Sequence, residues 1–340
     1  MGMNLIQDLP AEWSKIIPQR PTVSIVVTTY TTERMNDLLS LIDSIERMHT
    51  PDIELIIIIE RAYESFQLAT KKLGQCNFSS RVIFKNERLG ISNARNLGIK
   101  HSSAAIVAFV DDDAILLEGW KTRLLEAFSS FPEAIGVVGP ALPLWENPKN
   151  NWFPKEFYWM IGCSEWTGWK TRRKTRFGWG VNMAFRRSVF STCSFADGFS
   201  KGANRAGKMG PVGDDTDFCF RATERNSSFL LFEPQVKVLH RVYEFRLSRH
   251  FTRRYAYWQG YTEAMFRLDN RVATARTSSQ SHLIVGIIKD LVPGIFSDLV
   301  VRPNVAISKF MLLFDSFIFF ALGFTSFRST RVFSFAYRFL

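Results

Sequence analysis

Four short apolar runs, rich in β-branched residues and interleaved with stretches of helical period, constrain this chain more than any other feature. TVSIVVTTY (22–30), ELIIII (54–59), RVIFK (81–85) and AIVAFVD (105–111) lack polar alternation. Runs of that kind are strands of a parallel sheet covered on both faces by helices. Leu38, Leu41, Ile42 and Ile45 fall on one face of a helix from about Met35 to Met48, and further helices are expected near 64–73 and 92–100. The alternation predicts an α/β fold with a doubly wound, mostly parallel sheet. Ligands of such sheets bind at the carboxyl ends of the strands. Tyr30, Glu60, Asn86 and Asp111 to Asp113 all fall at that rim.

Asp111-Asp112-Asp113 directly follows the fourth run. Three adjacent carboxylates repel one another, and a hard divalent cation such as Mg²⁺ or Mn²⁺, which prefers carboxylate oxygen and keeps phosphates as further ligands, offsets that charge. The plainer alternative is a solvated acidic turn capping a helix near Leu117 to Phe128. Further on, GDDTDF (213–218) places Asp214, Asp215 and Asp217 before Phe218 and Phe220. These acids either cap a helix, where its dipole favours negative charge, or supply a carboxylate that accepts a proton. His240 ends the alternation QVKVLH, and a lone histidine is more often a packing residue than a ligand.

Charge is unevenly distributed. Residues 1–169 hold 16 Lys/Arg against 20 Asp/Glu, residues 170–276 hold 21 against 9, and residues 277–340 hold 6 against 3. An excess confined to the middle of the chain points to a local anionic partner, a phosphate-bearing substrate or an anionic membrane surface, rather than to nucleic acid. The Arg-aromatic stretch 241–266 suits stacking on single strands or a helix at a headgroup layer; no RNA-binding motif accompanies it. Cys76, Cys163, Cys193 and Cys219 show no CxxC pair and read as buried, reduced thiols. Met1 to Arg20 carries Asp8, Pro10, Glu12 and Pro18 and reads as a lead-in without a secretory signal.

The C-terminal end differs from the rest, with 11 of the 31 Phe residues between Phe296 and Phe339. Between Asp315 and Arg328 lie 12 uncharged residues, fewer than the roughly 18–20 that span a bilayer. Ser308, Lys309, Asp315 and Ser316 gather on one side of a helix and leave a broad Phe/Leu/Ile face. A helix lying in the membrane interface is expected ahead of a span, and a packed soluble helix comes third.

VSIVVTTY, ELIIIIE, NERLGISNARNLGI (86–99) and AFVDDD, in this order, resemble the nucleotide-binding half of family 2 glycosyltransferases. The family's Asn-x-x-x-Gly-x-x-x-Ala-Arg-Asn-x-Gly pattern is matched at Asn86, Gly90, Ala94, Arg95, Asn96 and Gly98. The resemblance implies a GT-A-like fold and a nucleotide-sugar site of Thr29, Tyr30, Glu60, Asn86, Arg95, Asp111 and Asp112. Within it Tyr30 and Glu60 would meet the base, Arg95 would lie beside the nucleotide, and Asp111 would touch ribose or metal. Asp113 would bind Mg²⁺ or Mn²⁺, and His240 stands where related transferases place a metal-binding histidine. Glu60 departs from the family, which usually carries Asp there. GWGVNMAFRRSVF (178–190) resembles the start of the acceptor side, with Trp179 and Asp214 on that side and Asp215 as the base. YWQGYTEA (257–264) resembles members that extend lipid-linked sugars.

The whole implies a metal-dependent inverting transfer from a nucleoside-diphosphate sugar, UDP-linked by expectation, to a lipid-phosphate-linked saccharide. The alternatives are a transferase for a surface polysaccharide and a non-catalytic nucleotide-sugar or nucleic-acid binding protein. The expected organisation is a lead-in (1–20), a nucleotide-sugar-binding half (21–140), an acceptor-binding half (141–276) and a Phe-rich membrane-associated helical extension (277–340). The enzyme would sit peripherally or monotopically on the cytoplasmic side of the cell membrane.

Overall fold

The computed structural model describes residues 6–7, 21–197, 210–268 and 278–336. The expected lead-in lies outside these residues except for β1 (Ile6–Gln7). Each apolar run forms a strand: β2 (Val23–Thr29), β3 (Ile53–Glu60), β4 (Ser79–Lys85) and β5 (Ile106–Val110). Helices follow at α1 (Met35–Glu46), α2 (Tyr63–Leu73), α3 (Ile91–His101) and, after the short β6 (Ala114–Leu116), α4 (Trp120–Ser130). All eight residues of β3 are buried. That explains a run with no polar alternation, because helices cover both faces of the sheet.

The remaining strands are β7 (Gly136–Val138), β8 (Ala141–Trp145), β9 (Arg173–Thr175), β10 (Asn182–Arg186), β11 (Leu230–Phe232) and β12 (Val238–Val242). The main sheet has the order β1-β4-β3-β2-β5-β10-β7-β11-β9, and a smaller sheet has the order β6-β12-β8. Strands β4, β3, β2 and β5 pair in parallel, while β10 is antiparallel to both β5 and β7. Chain order reverses between β2 and β5. The crevice at such a switch point is where doubly wound sheets bind ligands.

Two compact units emerge. The first comprises Met1–Leu142, Lys170–Asp197 and Asp214–Arg241; the second comprises Pro143–Trp169, Gly198–Gly213 and Val242–Leu340. The first holds the main core, in which Ile25, Leu41, Ile57 and Trp120 are almost wholly buried. A Cβ on Gly98 would come 2.3 Å from Val26 Cγ1. Glycine there lets α3 lie directly on β2, which accounts for one residue of the NARNLG motif.

The second unit contains short 3₁₀ turns between Pro148 and Thr167, α6 (Arg249–Leu268), α7 (Ser278–Gly286), α8 (Val292–Val301) and α9 (Pro303–Ala336). Arg249 pairs with Asp315, Tyr257 with Ser326 and Tyr261 with Phe327, so α6 and α9 run in the same direction. They approach closely at glycines. A Cβ on Gly260 would lie 2.0 Å from the Phe320 carbonyl oxygen, and one on Gly323 would lie 1.8 Å from that of Tyr257. Pro303–Arg328 is long and apolar enough to cross a membrane by length and composition, and 22% of its most apolar window is buried.

Candidate active site

Every site residue expected from sequence lies in the first unit. Tyr30 and Asp111 immediately follow the neighbouring strands β2 and β5. The acidic turn does not cap the next helix, because β6 intervenes and Gly119 occupies the position before α4. Instead β6 pairs antiparallel with β12, setting His240 opposite Ala114, and the Arg241 amide donates to the Asp113 carbonyl at 2.9 Å. Two short paired strands thus carry His240 to the acidic turn.

His240 Nε2 lies 3.1 Å from Asp113 Oδ1, and both side chains are buried. One ligand atom from each of Asp111, Asp113 and His240 falls within 4.8 Å of the others. Two carboxylates and an imidazole make a donor set compatible with a divalent first-row cation. Asp112 points elsewhere: it is buried, accepts from the Thr29 side chain and pairs with Arg34 Nη1 at 3.0 Å. Burial pushes the Asp112 carboxyl above the usual aspartate range, with Arg34 pulling it down and Asp113 and Asp111 pushing it further up.

Glu60 is buried, and its Oε2 accepts from the backbone amides of Leu89 and Gly90 at 2.8 and 3.1 Å. The longer arm therefore grips the loop that opens α3, in which Gly90 has φ of 82°. That left-handed conformation explains the first glycine of the motif. Asn86 is exposed in the bend after β4. Asn96 exchanges two hydrogen bonds with the Phe195 backbone, at 2.9 and 3.0 Å.

Arg95 joins the two groups of acids. Its guanidinium is buried, with Nη1 2.5 Å from Asp214 Oδ2 and Nη2 3.5 Å from Asp111 Oδ1. A Cβ on Gly180 would lie 2.1 Å from Arg95 Nη2, so any larger residue there would displace the guanidinium from this position. Asp214 and Asp215 open α5 (Asp214–Arg225). Asp215 Oδ2 accepts from the Gly180 amide and Oδ1 from the Thr216 amide, each at 2.7 Å. Burial raises both carboxyls above the usual range, with Arg95 the main opposing influence. Trp179 donates its indole N–H to the Gly139 carbonyl at 2.9 Å and packs against the main core.

Sequence reasoning missed two contributors to the site, Arg34 and Asn182, and one buried acid, Glu54, at the opposite, amino end of the sheet. Arg34 pairs with Asp112 and with Asp113 Oδ2 at 3.2 Å. Asn182 is buried and ties Trp120, Pro140 and Val236 together. Glu54 accepts from Ser24 and from both the amide and hydroxyl of Ser103, fixing the start of β5. The only sequence signal for Glu54 was a charge opening an otherwise apolar run.

A mixed, mostly parallel sheet with carboxylates at its switch point defines a class, the ligand-binding α/β proteins. The family follows from comparison. The model for glycosyl transferase family 2 matches residues 24–193, half of the chain, and the chain belongs to that family. It is 28% identical over 247 residues to a glucosyl-dolichyl phosphate glucuronosyltransferase of Haloferax volcanii, covering 72% of this chain and 77% of that protein. It is also 28% identical over 174 residues to the uncharacterized glycosyltransferase EpsJ of Bacillus subtilis, covering 50% of this chain and 49% of that one. A solved mannosyltransferase from Pyrobaculum calidifontis, in complex with GDP-Man and Mn²⁺, superposes with a TM-score of 0.55 over 92% of each chain, at 14% identity. The fold is GT-A-like, as the motif order implied.

Proposed function

We propose that this glycosyltransferase moves a sugar, with inversion, from a nucleoside-diphosphate donor (UDP-linked by preference) to a lipid-phosphate-linked saccharide. The observation that carries the reading is Arg95, whose single guanidinium touches Asp111 on the donor side and Asp214 on the acceptor side. The donor carboxylate Asp111 and Asp214, the chain neighbour of the candidate base Asp215, are thereby held one side chain apart.

Asp111, Asp113 and His240 would hold Mg²⁺ or Mn²⁺, which when bound neutralises charge on the departing diphosphate. Thr29, Tyr30, Glu60, Asn86 and Arg95 would bind the rest of the donor, Glu60 by fixing the loop ahead of α3. Asp215 would take the proton of the acceptor hydroxyl as its oxygen bonds to the anomeric carbon and the bond to the diphosphate breaks. Asp214, paired with Arg95, would serve as the second acid, with Trp179 on the same side.

The lipid acceptor is supported by the Haloferax relative's own name and by the second unit's helices. Ile284, Ile288, Phe296, Val300, Phe310, Phe314 and Phe317 are all more than half exposed. We read α9 as lying in the bilayer interface on the cytoplasmic side. Asp315, in mid-helix, is clasped by Arg249 and Arg253 of α6, each at 2.9 Å. A crossing α9 would draw Arg249, Arg253 and Arg267 into hydrocarbon, at about 2.5–3.5 kcal/mol for each charge near the centre.

The test is hydrolysis of UDP-, GDP- and dTDP-sugars by purified protein with Mn²⁺, Mg²⁺ or EDTA, without and with a polyprenyl-phosphate sugar. Metal-dependent turnover of one donor, stimulated by the lipid, is expected. Absence of turnover and of nucleotide-sugar binding with every metal would refute the reading.

A further inference from the structure

We infer that Arg34 is a built-in counter-cation of the donor site, keeping divalent-cation affinity low until a diphosphate is present. The inference rests on the metal reading above. Arg34 immediately precedes α1, and its Nη1 reaches Asp112 Oδ1 at 3.0 Å and Asp113 Oδ2 at 3.2 Å. One nitrogen therefore bridges two adjacent carboxylates. The other oxygen of Asp113 faces His240 Nε2. Both oxygens of the carboxylate that matters most for a cation are thus engaged, one of them by a positive charge.

Two physical consequences follow. A guanidinium on Asp113 repels an arriving dication and occupies an oxygen that the dication needs. The carboxyl of Asp112, buried beside two other acids, also has a partner that stays charged at every working pH. The Arg34 side chain is 15% exposed, and its guanidinium carbon lies 6.0 Å from the Tyr30 ring centroid. It sits at the rim, within reach of a ligand, and is not sealed in the core. Guanidinium binds phosphate oxygens as well as carboxylates. A diphosphate gives Arg34 a second anion to hold, releasing an Asp113 oxygen to the metal. Cation and nucleotide then bind with positive coupling, each strengthening the other by the same factor.

The test is Mn²⁺ binding to the full chain, followed by the electron paramagnetic resonance signal of free Mn²⁺, without nucleotide and with UDP. Arg34→Gln is expected to bind Mn²⁺ alone at least tenfold more tightly than wild type, and to show several-fold less enhancement by UDP. Arg34→Lys, which keeps the charge, is expected to stay close to wild type. Arg34→Met is the second neutral replacement should the glutamine variant not fold. Unchanged or weaker Mn²⁺ binding by the neutral variants, with wild type binding Mn²⁺ in the presence of UDP, overturns this inference and leaves the metal reading standing. No Mn²⁺ binding by wild type under either condition removes both.

Discussion

Asp215 is held by two backbone amides, and Asp214 beside it is held by a buried arginine. The difference matters because an amide pair orients a carboxylate without committing it to a counter-charge, whereas Asp214 is tied up in an ion pair with Arg95. Asp215→Asn is expected to lower transfer by about 10²–10⁴-fold, with donor-nucleotide affinity within twofold of wild type by calorimetry. Full transfer by that variant would remove the assignment. Burial raises both carboxyls, which fixes two opposite pH trends. A group that holds its proton more tightly when folded than when unfolded favours the fold at low pH. That contribution is lost as pH rises from the ordinary value of 3.8 through the displaced one. Activity rises over the same interval as the base ionises. The acidic limb of kcat/KM is therefore expected above the ordinary aspartate range, and denaturant midpoints should fall slightly across it. At Glu60, shortening the arm in Glu60→Asp withdraws the oxygen that accepts from Leu89 and Gly90. Hydrogen bonds to a charged acceptor contribute about 1.5–3 kcal/mol, so donor KM should rise by about tenfold or more. An unchanged KM would show that the loop holds its shape without that grip.

At the scale of elements, glycines mark the places where secondary structures touch without side chains between them. Gly98→Ala would force a Cβ to within 2.3 Å of Val26, at the contact of α3 with β2. Overpacking of this kind costs about 1–3 kcal/mol, read as a shift in denaturant midpoint at constant slope. Gly74→Ala serves as the control, since its nearest neighbour would be 3.5 Å away and little change is expected. Equal effects at the two positions would mean that the α3–β2 contact yields easily. The strands were legible in sequence because burial on both faces removes polar alternation. The acidic turn was ambiguous there, between a helix cap and a ligand site. Three residues of β6, paired with β12, settled its position by inserting a strand before α4.

For the molecule as a whole, the proposed membrane association turns on whether α9 would lie in the bilayer interface or cross it. An in-plane helix leaves both chain ends on one side of a bilayer, and a crossing helix separates them. Tags at the two termini, probed by protease on sealed vesicles, are expected to be cleaved together. Protection of one tag alone would mean that α9 spans. Length and apolarity permit a span, as the 26 residues of Pro303–Arg328 would extend about 39 Å. The clasp of Asp315 by α6 carries the opposite implication. The Phe-rich composition was visible in the sequence, but the pairing of α6 with α9 was not, since Arg249 and Asp315 are separated by 66 positions.

Sequence alone determined the four parallel strands, the helices between them and the rim on which the acids stand, while the strands' order in the sheet came from the structure. The first three follow from local apolar pattern and from the fixed geometry of parallel sheets. Four free, buried cysteines also matched their spacing, which lacked any pairing rhythm. Tertiary structure decided which acids share a cation and which share an arginine. Arg34 meets Asp112 across 78 positions and Arg95 meets Asp214 across 119. No period or local motif encodes such pairs. They arise only when the sheet closes and burial obliges each charge to find a partner.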